Sequence, residues 1–141
     1  MAYPKRKKNI LPNGRREKEP FIYLSKAQVD SPSWMDVMPI GRCILIEMLK
    51  RYNGQNNGDI SLSYREAQHV GKCGADTARR ALDELQTHGW IRLHNKGAYQ
   101  NKHASTWILT IRPYNNQPAT NDWRKWTPEK NASTHTGTDS T

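Results

Sequence analysis

The sequence predicts an α+β fold in which three helices and a short strand precede a β-hairpin. Apolar residues recur at three- and four-residue steps after Pro39, a pattern typical of an amphipathic helix. Two further helical stretches meet at the glycine-bounded turn 71–74, and runs 90–93 and 106–111 are rich in β-forming residues. With 141 residues the chain has room for one domain plus tails.

The first long helix is predicted to begin at Pro39 and to end at Asn53-Gly54. Its apolar face follows the helical repeat and comprises Ile40, Ile44, Leu45, Met48, Leu49 and Tyr52. Before it, Ser31-Pro32 fits an N-cap followed by proline at the first helical position. This cap predicts a short helical turn that carries Trp34 and Met38.

A second helix is predicted after a short half-buried strand at 59–62. Ser63 and Glu66 have the spacing of a capping box, in which each side chain accepts a hydrogen bond from the other residue's amide. This helix is expected to end at Gly71.

The third helix is predicted from about Ala75 to Gly89. Glycine at that end suits a left-handed residue after the helix, with Trp90 folding back on Leu85. One face is small and apolar, formed by Ala78, Ala81, Leu82 and Leu85. The hairpin follows, with strands at 90–93 and 106–111 and a polar tip between them.

The two ends of the chain have compositions that do not favour a core. Residues 1–20 contain seven basic and two acidic residues with few aliphatic ones, which predicts a disordered basic arm. Residues 114–141 are rich in polar residues and predict a mostly disordered tail, with Trp123 and Trp126 as its only anchors. The domain itself is expected at 21–113.

The chain has 22 basic and 13 acidic side chains, which gives a net charge of +9. Its surface should therefore attract a polyanion such as nucleic acid.

No apolar run approaches the roughly 18 residues of a membrane span, and no hydrophobic signal core follows the basic start, which favours a cytoplasmic protein. Cys43 and Cys73 have no C-x-x-C partner and are interpreted as reduced thiols.

Neither an enzyme nor a metal protein is expected. The histidines, among them His94 and His103, fit no zinc-ligand spacing, and no other cofactor is predicted. Acidic residues are scattered over helix faces, away from any nucleophile and base pair, so no catalytic residue is assigned.

One stretch resembles a known family. Residues 61–93, SLSYREAQHVGKCGADTARRALDELQTHGWIRL, resemble the helix-turn-helix and first wing strand of bacterial winged-helix regulators. Within it, TARRALDELQTHGWI is most similar to the GntR-type pattern, and RYNGQNNGDISLSYREA resembles small helix-turn-helix proteins of bacterial and prophage genomes. The resemblance spans roughly residues 21–113.

The resemblance implies a winged helix-turn-helix that binds double-stranded DNA, either as a transcriptional regulator or in initiation of plasmid or phage replication.

The sequence departs from the family pattern in two respects. Lys72-Cys73-Gly74 stands where the family has an aliphatic residue and a Ser or Thr cap, so the cap of the third helix is weaker. No ligand-binding domain of the GntR kind is present in the sequence, so no small-molecule effector is predicted.

Candidate DNA-binding residues are those expected on the outward face of the motif and on its basic extensions. Arg79 and Arg80 are expected to read guanine, and Thr77 to bond a phosphate at the helix start. The remaining candidates are Lys72 and Asp76; Ser63, Tyr64 and Arg65 at the start of the second helix; Lys96, Lys102 and His103 in the wing; and Lys5, Arg6, Lys7 and Lys8 in the arm.

Three other interpretations remain open from the sequence. Arg79 and Arg80 could form a solvated helix face balanced by Asp76, Asp83 and Glu84. The scaffold could serve as a protein-interaction adaptor without nucleic acid, or its basic surface could bind structured RNA. A homodimer would match palindromic DNA half-sites, with the first long helix or residues 21–24 forming the contact.

Overall fold

A computed structural model describes residues 20–97 and 104–128 and has the expected α+β class. The elements, in chain order, are α1 Lys26–Val29, α2 Pro32–Asp36, α3 Pro39–Arg51, β1 Ile60–Ser61, α4 Tyr64–Gly71, α5 Ala75–Thr87, β2 Ile91–Asn95, β3 Thr106–Leu109 and a C-terminal 3-10 helix Asp122–Lys125. The three principal helices and the order of the strands agree with the predictions from the sequence.

The three strands form one antiparallel sheet in the order β1-β3-β2. The central strand pairs Trp107 with Ile60 on one side and Leu109 with Ile91 on the other. The indole Nε1 of Trp107 donates a 3.0 Å hydrogen bond to the carbonyl of Leu62. This bond joins the sheet to the segment that enters α4.

The core lies between α3, α4, α5 and the sheet. The apolar face of α3 contributes Ile44, Leu45 and Met48, all fully buried. Burying one such aliphatic side chain contributes about 1.5–3 kcal/mol relative to leaving it in water. Ala67 of α4 and Ala78 and Ala81 of α5 are also fully buried, so the helices meet through small side chains.

Both ends of α5 have the geometry expected from the sequence. Its N-cap Gly74 makes no side-chain hydrogen bond, as the weak cap predicted. At the other end Gly89 has φ +86°, its amide donates to the carbonyl of Gln86 at 3.1 Å, and the amide of Trp90 donates to Leu85 at 2.9 Å. These two bonds form a Schellman motif, which ends the helix and turns the chain into β2.

The capping box of α4 is also present. The Ser63 hydroxyl accepts from the Glu66 amide at 3.0 Å, and the Glu66 carboxylate accepts from the Ser63 amide at 3.3 Å. A second capping box, between Ser25 and Gln28, starts α1. Sequence reasoning missed α1 although the same spacing was present there.

The packed fold extends beyond the boundary at residue 113 that the sequence suggested. Trp123 and Trp126 are only 7% and 8% exposed. Trp123 stacks on Trp90 with ring centroids 5.5 Å apart, and Trp126 stacks on His88 at 4.4 Å. Both tryptophans of the C-terminal segment are therefore packed on the domain.

The second hairpin strand is shorter than the run 106–111 that predicted it, because the chain leaves the ladder after Leu109. The Thr110 amide still donates to the Trp90 carbonyl at 3.1 Å, and its hydroxyl donates to the Gly89 carbonyl at 2.6 Å. Its own carbonyl accepts from the amide of Asn121 at 2.9 Å, which ties the C-terminal segment to the end of the sheet. Cys43 and Cys73 are free thiols.

Of the six glycines whose surroundings the structure describes at residues 41–89, Gly89 is predicted to be the least replaceable. An added Cβ would lie 2.5 Å from the carbonyl carbon of Asp122, on a backbone with φ +86°. Gly54 is the matched control, because it has φ +96° and nothing within 4 Å of an added Cβ. Gly54→Ala should cost about 1 kcal/mol of unfolding free energy from backbone strain alone.

Gly89→Ala should cost at least about 2 kcal/mol more than Gly54→Ala, because the docked C-terminal segment must also shift. Urea denaturation of both variants checks this difference. Equal losses would mean that residues 122–123 do not pack on this turn in solution.

Candidate nucleic-acid interface

The turn between α4 and α5 sets the direction of α5. Lys72 adopts a left-handed conformation with φ 49°, and the amide of Cys73 donates to the carbonyl of Gln68 at 3.1 Å. Cys73 is half-buried against the core. Only three residues therefore separate the two helices, and the turn leaves the Lys72 side chain exposed.

The outward face of α5 carries most of the residues expected there. Asp76, Arg79, Arg80 and Asp83 are exposed, while Thr77 is half-buried. The buried face consists of Ala78, Ala81, Leu82 and Leu85, as the sequence predicted. The helix therefore presents both arginines to solvent from its N-terminal half.

Helix-face ion pairs do not hold these arginines. Among the residues described, neither Arg79 nor Arg80 has a carboxylate partner within 4 Å. The carboxylate of Glu84, one of the expected partners, instead accepts a hydrogen bond from the Met38 amide at the start of α3. The Arg79 guanidinium lies over the Tyr64 ring, 6.0 Å from its centroid.

The start of α4 lies beside this face. The Ser63 hydroxyl is engaged as the N-cap acceptor, Tyr64 is half-buried, and Arg65 is exposed. The Glu66 carboxylate forms a 2.7 Å ion pair with Arg51 of α3. This pair balances the negative charge of Glu66 beside the exposed arginines.

The pKa of Glu66 reflects two opposed effects. Burial by itself raises this pKa, but hydrogen bonds from Arg51 and from the Ser63 amide, with the charge of Arg51, outweigh burial and lower it. The folded protein therefore keeps this carboxylate ionised to lower pH than the unfolded chain does. Arg51 was not among the sequence-based candidates; only its position near the end of α3 could have indicated it.

The described part of the hairpin contributes Lys96, which is exposed just beyond β2. The amide of Gly97 donates to the Ser105 hydroxyl at 2.9 Å, where the two strands end and the loop of the hairpin begins. Arg92 on β2 is also exposed and was missed, although the alternation of the strand could have indicated it. Lys102 and His103 lie outside the described residues, as do Lys5, Arg6, Lys7 and Lys8.

The candidate interface thus comprises the exposed face of α5, the turn before it and the start of α4. Its exposed basic residues are Arg65, Lys72, Arg79 and Arg80, against the two acidic residues Asp76 and Asp83. Within the described ranges 20–97 and 104–128, no cluster of three or more His, Cys, Asp or Glu could hold a metal ion. No helix in these same ranges is long and apolar enough to cross a membrane.

The ion pair between Glu66 and Arg51 predicts a small acid dependence of stability. Because the folded pKa is lowered, the stabilisation is fully present above the ordinary value of 4.5 and is lost as pH falls through the folded value. Glu66→Gln keeps an acceptor for the cap but removes the charge. Since this carboxylate is 42% exposed, we expect a loss of only about 0.5 kcal/mol at pH 7.

Urea denaturation at pH 7 and at pH 3 measures this effect, and the gap between wild type and Glu66→Gln should narrow at pH 3. Asp59→Asn is the matched control, because Asp59 is exposed and forms no ion pair among the described residues. A gap that widens at low pH would contradict the ion pair.

No protein-family model, curated protein or solved structure matches this chain. Functional interpretation therefore depends on the geometry and charge of the interface itself.

Proposed function

We propose that this protein is a winged helix-turn-helix protein that binds double-stranded DNA sequence-specifically, with α5 in the major groove. The process served would be transcriptional control or initiation of plasmid or phage replication. The observation that carries the proposal is the exposure of Arg79 and Arg80, without carboxylate partners among the described residues, on the N-terminal half of α5.

The shape of α5 fits the proposal. Its 13 residues make a helix about 20 Å long, and a major groove about 12 Å wide admits one α-helix. One stripe of the helix is buried by alanines and leucines, so the opposite face is free to enter the groove. The sheet order β1-β3-β2 supports the assignment, with the β2–β3 hairpin as the wing.

The two arginines would have different parts in recognition. The Tyr64 ring holds the Arg79 guanidinium by a cation–π contact, which at an exposed site contributes about 0.5–1 kcal/mol. A guanidinium oriented before binding loses less entropy when it forms two hydrogen bonds to guanine. Arg79 is therefore the better candidate for base readout. Arg80 has no such ring contact among the described residues and can reach either a base or a phosphate.

The neighbouring residues would position the helix. Thr77 and Lys72 lie at its start, where the exposed amides favour a phosphate. Arg65 and Lys96 would neutralise phosphates on either side. Asp76 is repelled by phosphates but can accept a hydrogen bond from the amino group of cytosine, so its exposure is compatible with base readout.

Replacing both arginines should remove sequence preference. After selection of a cognate site from random duplex DNA, Arg79→Gln with Arg80→Gln is expected to weaken cognate binding by about 100-fold or more, because each good base contact contributes about 1–3 kcal/mol. Binding to random duplex should weaken much less. Fluorescence anisotropy with both duplexes, at matched salt, measures the two affinities.

The matched control is Arg124→Gln with Lys125→Gln, which removes two adjacent exposed charges from the C-terminal 3-10 helix. This control should keep the preference for the cognate duplex. Equal losses on cognate and random DNA in the Arg79 and Arg80 variant would contradict base readout. Failure of the wild-type protein to bind any duplex at low salt would contradict the proposed function as a whole.

A further inference from the structure

A cavity of about 240 Å³ lies on the side of the sheet facing away from the helices. Ile108 forms its floor, since side chains alternate along β3 and its neighbours Trp107 and Leu109 point into the core. The turn 114–117 and Pro118 form its wall. We call this cavity the sheet pocket. It is separate from the exposed face of α5.

The wall of the sheet pocket is held in place. The side-chain amide of Asn57 donates to the carbonyls of Leu109, Arg112 and Pro113 at 2.9, 3.2 and 2.9 Å, and its oxygen accepts from the Leu109 amide at 2.7 Å. Tyr114 and Gln117 exchange two backbone hydrogen bonds across a tight turn. The pocket is therefore formed before any ligand arrives, as is usual for small-molecule sites.

Two arginines give the sheet pocket its charge. Arg92, paired with Ile108 across the sheet, is exposed and forms no ion pair among the described residues. Arg112 is half-buried and also has no carboxylate partner there, and no acidic residue is among those that line the pocket. A partly desolvated charge without a counter-ion is unfavourable, so an anion should be attracted to this side of the sheet.

Arg112 is itself held in place by other parts of the chain. Its guanidinium donates to the carbonyls of Tyr23 and Ile111, at 2.6 and 3.0 Å, and lies 5.8 Å from the centroid of the Tyr52 ring. Burial lowers its pKa, and this effect outweighs the opposite influence of Tyr52 and Tyr23. The guanidinium is therefore held at Tyr23 and Tyr52, which do not line the sheet pocket, so Arg112 contributes positive charge to the pocket and no direct hydrogen bond.

We propose that the sheet pocket binds a small organic anion in which a carboxylate is attached to a flat apolar ring. The carboxylate would meet Arg92, since a planar guanidinium pairs with a planar carboxylate through two parallel bonds, and the charge of Arg112 nearby would add to the attraction. The ring would cover Ile108 and contact Tyr114 and Pro118. Inorganic phosphate would satisfy the arginines but would leave this apolar surface in water, so the geometry favours the ring-bearing anion.

Benzoate is the probe, and NMR of the full chain is the measurement. Benzoate should shift the Ile108 methyl signals saturably, with a dissociation constant of about 1 mM, since so small a ligand has few contacts. Benzyl alcohol lacks the charge and acetate lacks the ring. At equal ionic strength each should shift these signals at least about tenfold more weakly than benzoate.

Arg92→Gln tests the charge without disturbing the core, because this side chain is exposed. It should weaken benzoate binding by about tenfold or more, whereas Arg124→Gln, which removes a charge elsewhere, should not change it. The proposal is overturned if benzoate gives no saturable shift, if phosphate or acetate matches benzoate, or if Arg92→Gln binds benzoate as wild type does. DNA binding has no part in this test, so its outcome is independent of the proposed function.

Discussion

The contact of α5 with α3 and α4 through small side chains is the constraint on which the rest of the structure depends. Ala67 of α4 and Ala78 and Ala81 of α5 are fully buried, so the helix backbones approach closely. Larger side chains there would push α5 away from the core, and overpacking costs typically about 1–3 kcal/mol. With the small face inward, the arginines on the opposite face must point to solvent.

Aromatic residues hold the C-terminal end of α5. Trp90 directly follows the Schellman turn and contacts both Trp34, edge to face at 5.5 Å, and Trp123, stacked at 5.5 Å. These contacts join α2, the sheet and the C-terminal segment around one ring. His88 adds a link, since its Nε2 lies 2.7 Å from the Asp36 carboxylate while its ring stacks on Trp126. Both ends of α5 are thus held, and the face that carries Arg79 and Arg80 has one orientation.

Local signals in the sequence account for much of this arrangement. The capping box of Ser63, the glycine at 89 and the small face of α5 act within a few residues, so they were predictable without knowledge of long-range contacts. The burial of Trp123 and Trp126 depends on surfaces contributed by Trp90 and His88, more than 30 positions away in the sequence. The polar composition of residues 114–128 does not predict this packing. The ion pair of Arg51 with Glu66 and the hydrogen bond from Arg112 to Tyr23 were not foreseen either, because each joins different elements of the fold.

The domain carries two separate pairs of arginines, one on α5 and one beyond its C-terminal end. Arg79 and Arg80 project near its start, whereas Arg92 and Arg112 lie on the sheet beyond its end, where β2 begins only two residues after Gly89. From Arg80 to Thr87, the last residue of α5, the helix axis extends about 11 Å, so these charges are separated by more than a Debye length at physiological salt, which is about 8 Å. Electrostatic coupling between them through solvent is therefore weak. Any influence of the sheet pocket on the α5 face would have to pass through the packed contacts of Trp90 and the Schellman turn, where Gly89 lies directly against the backbone of Asp122.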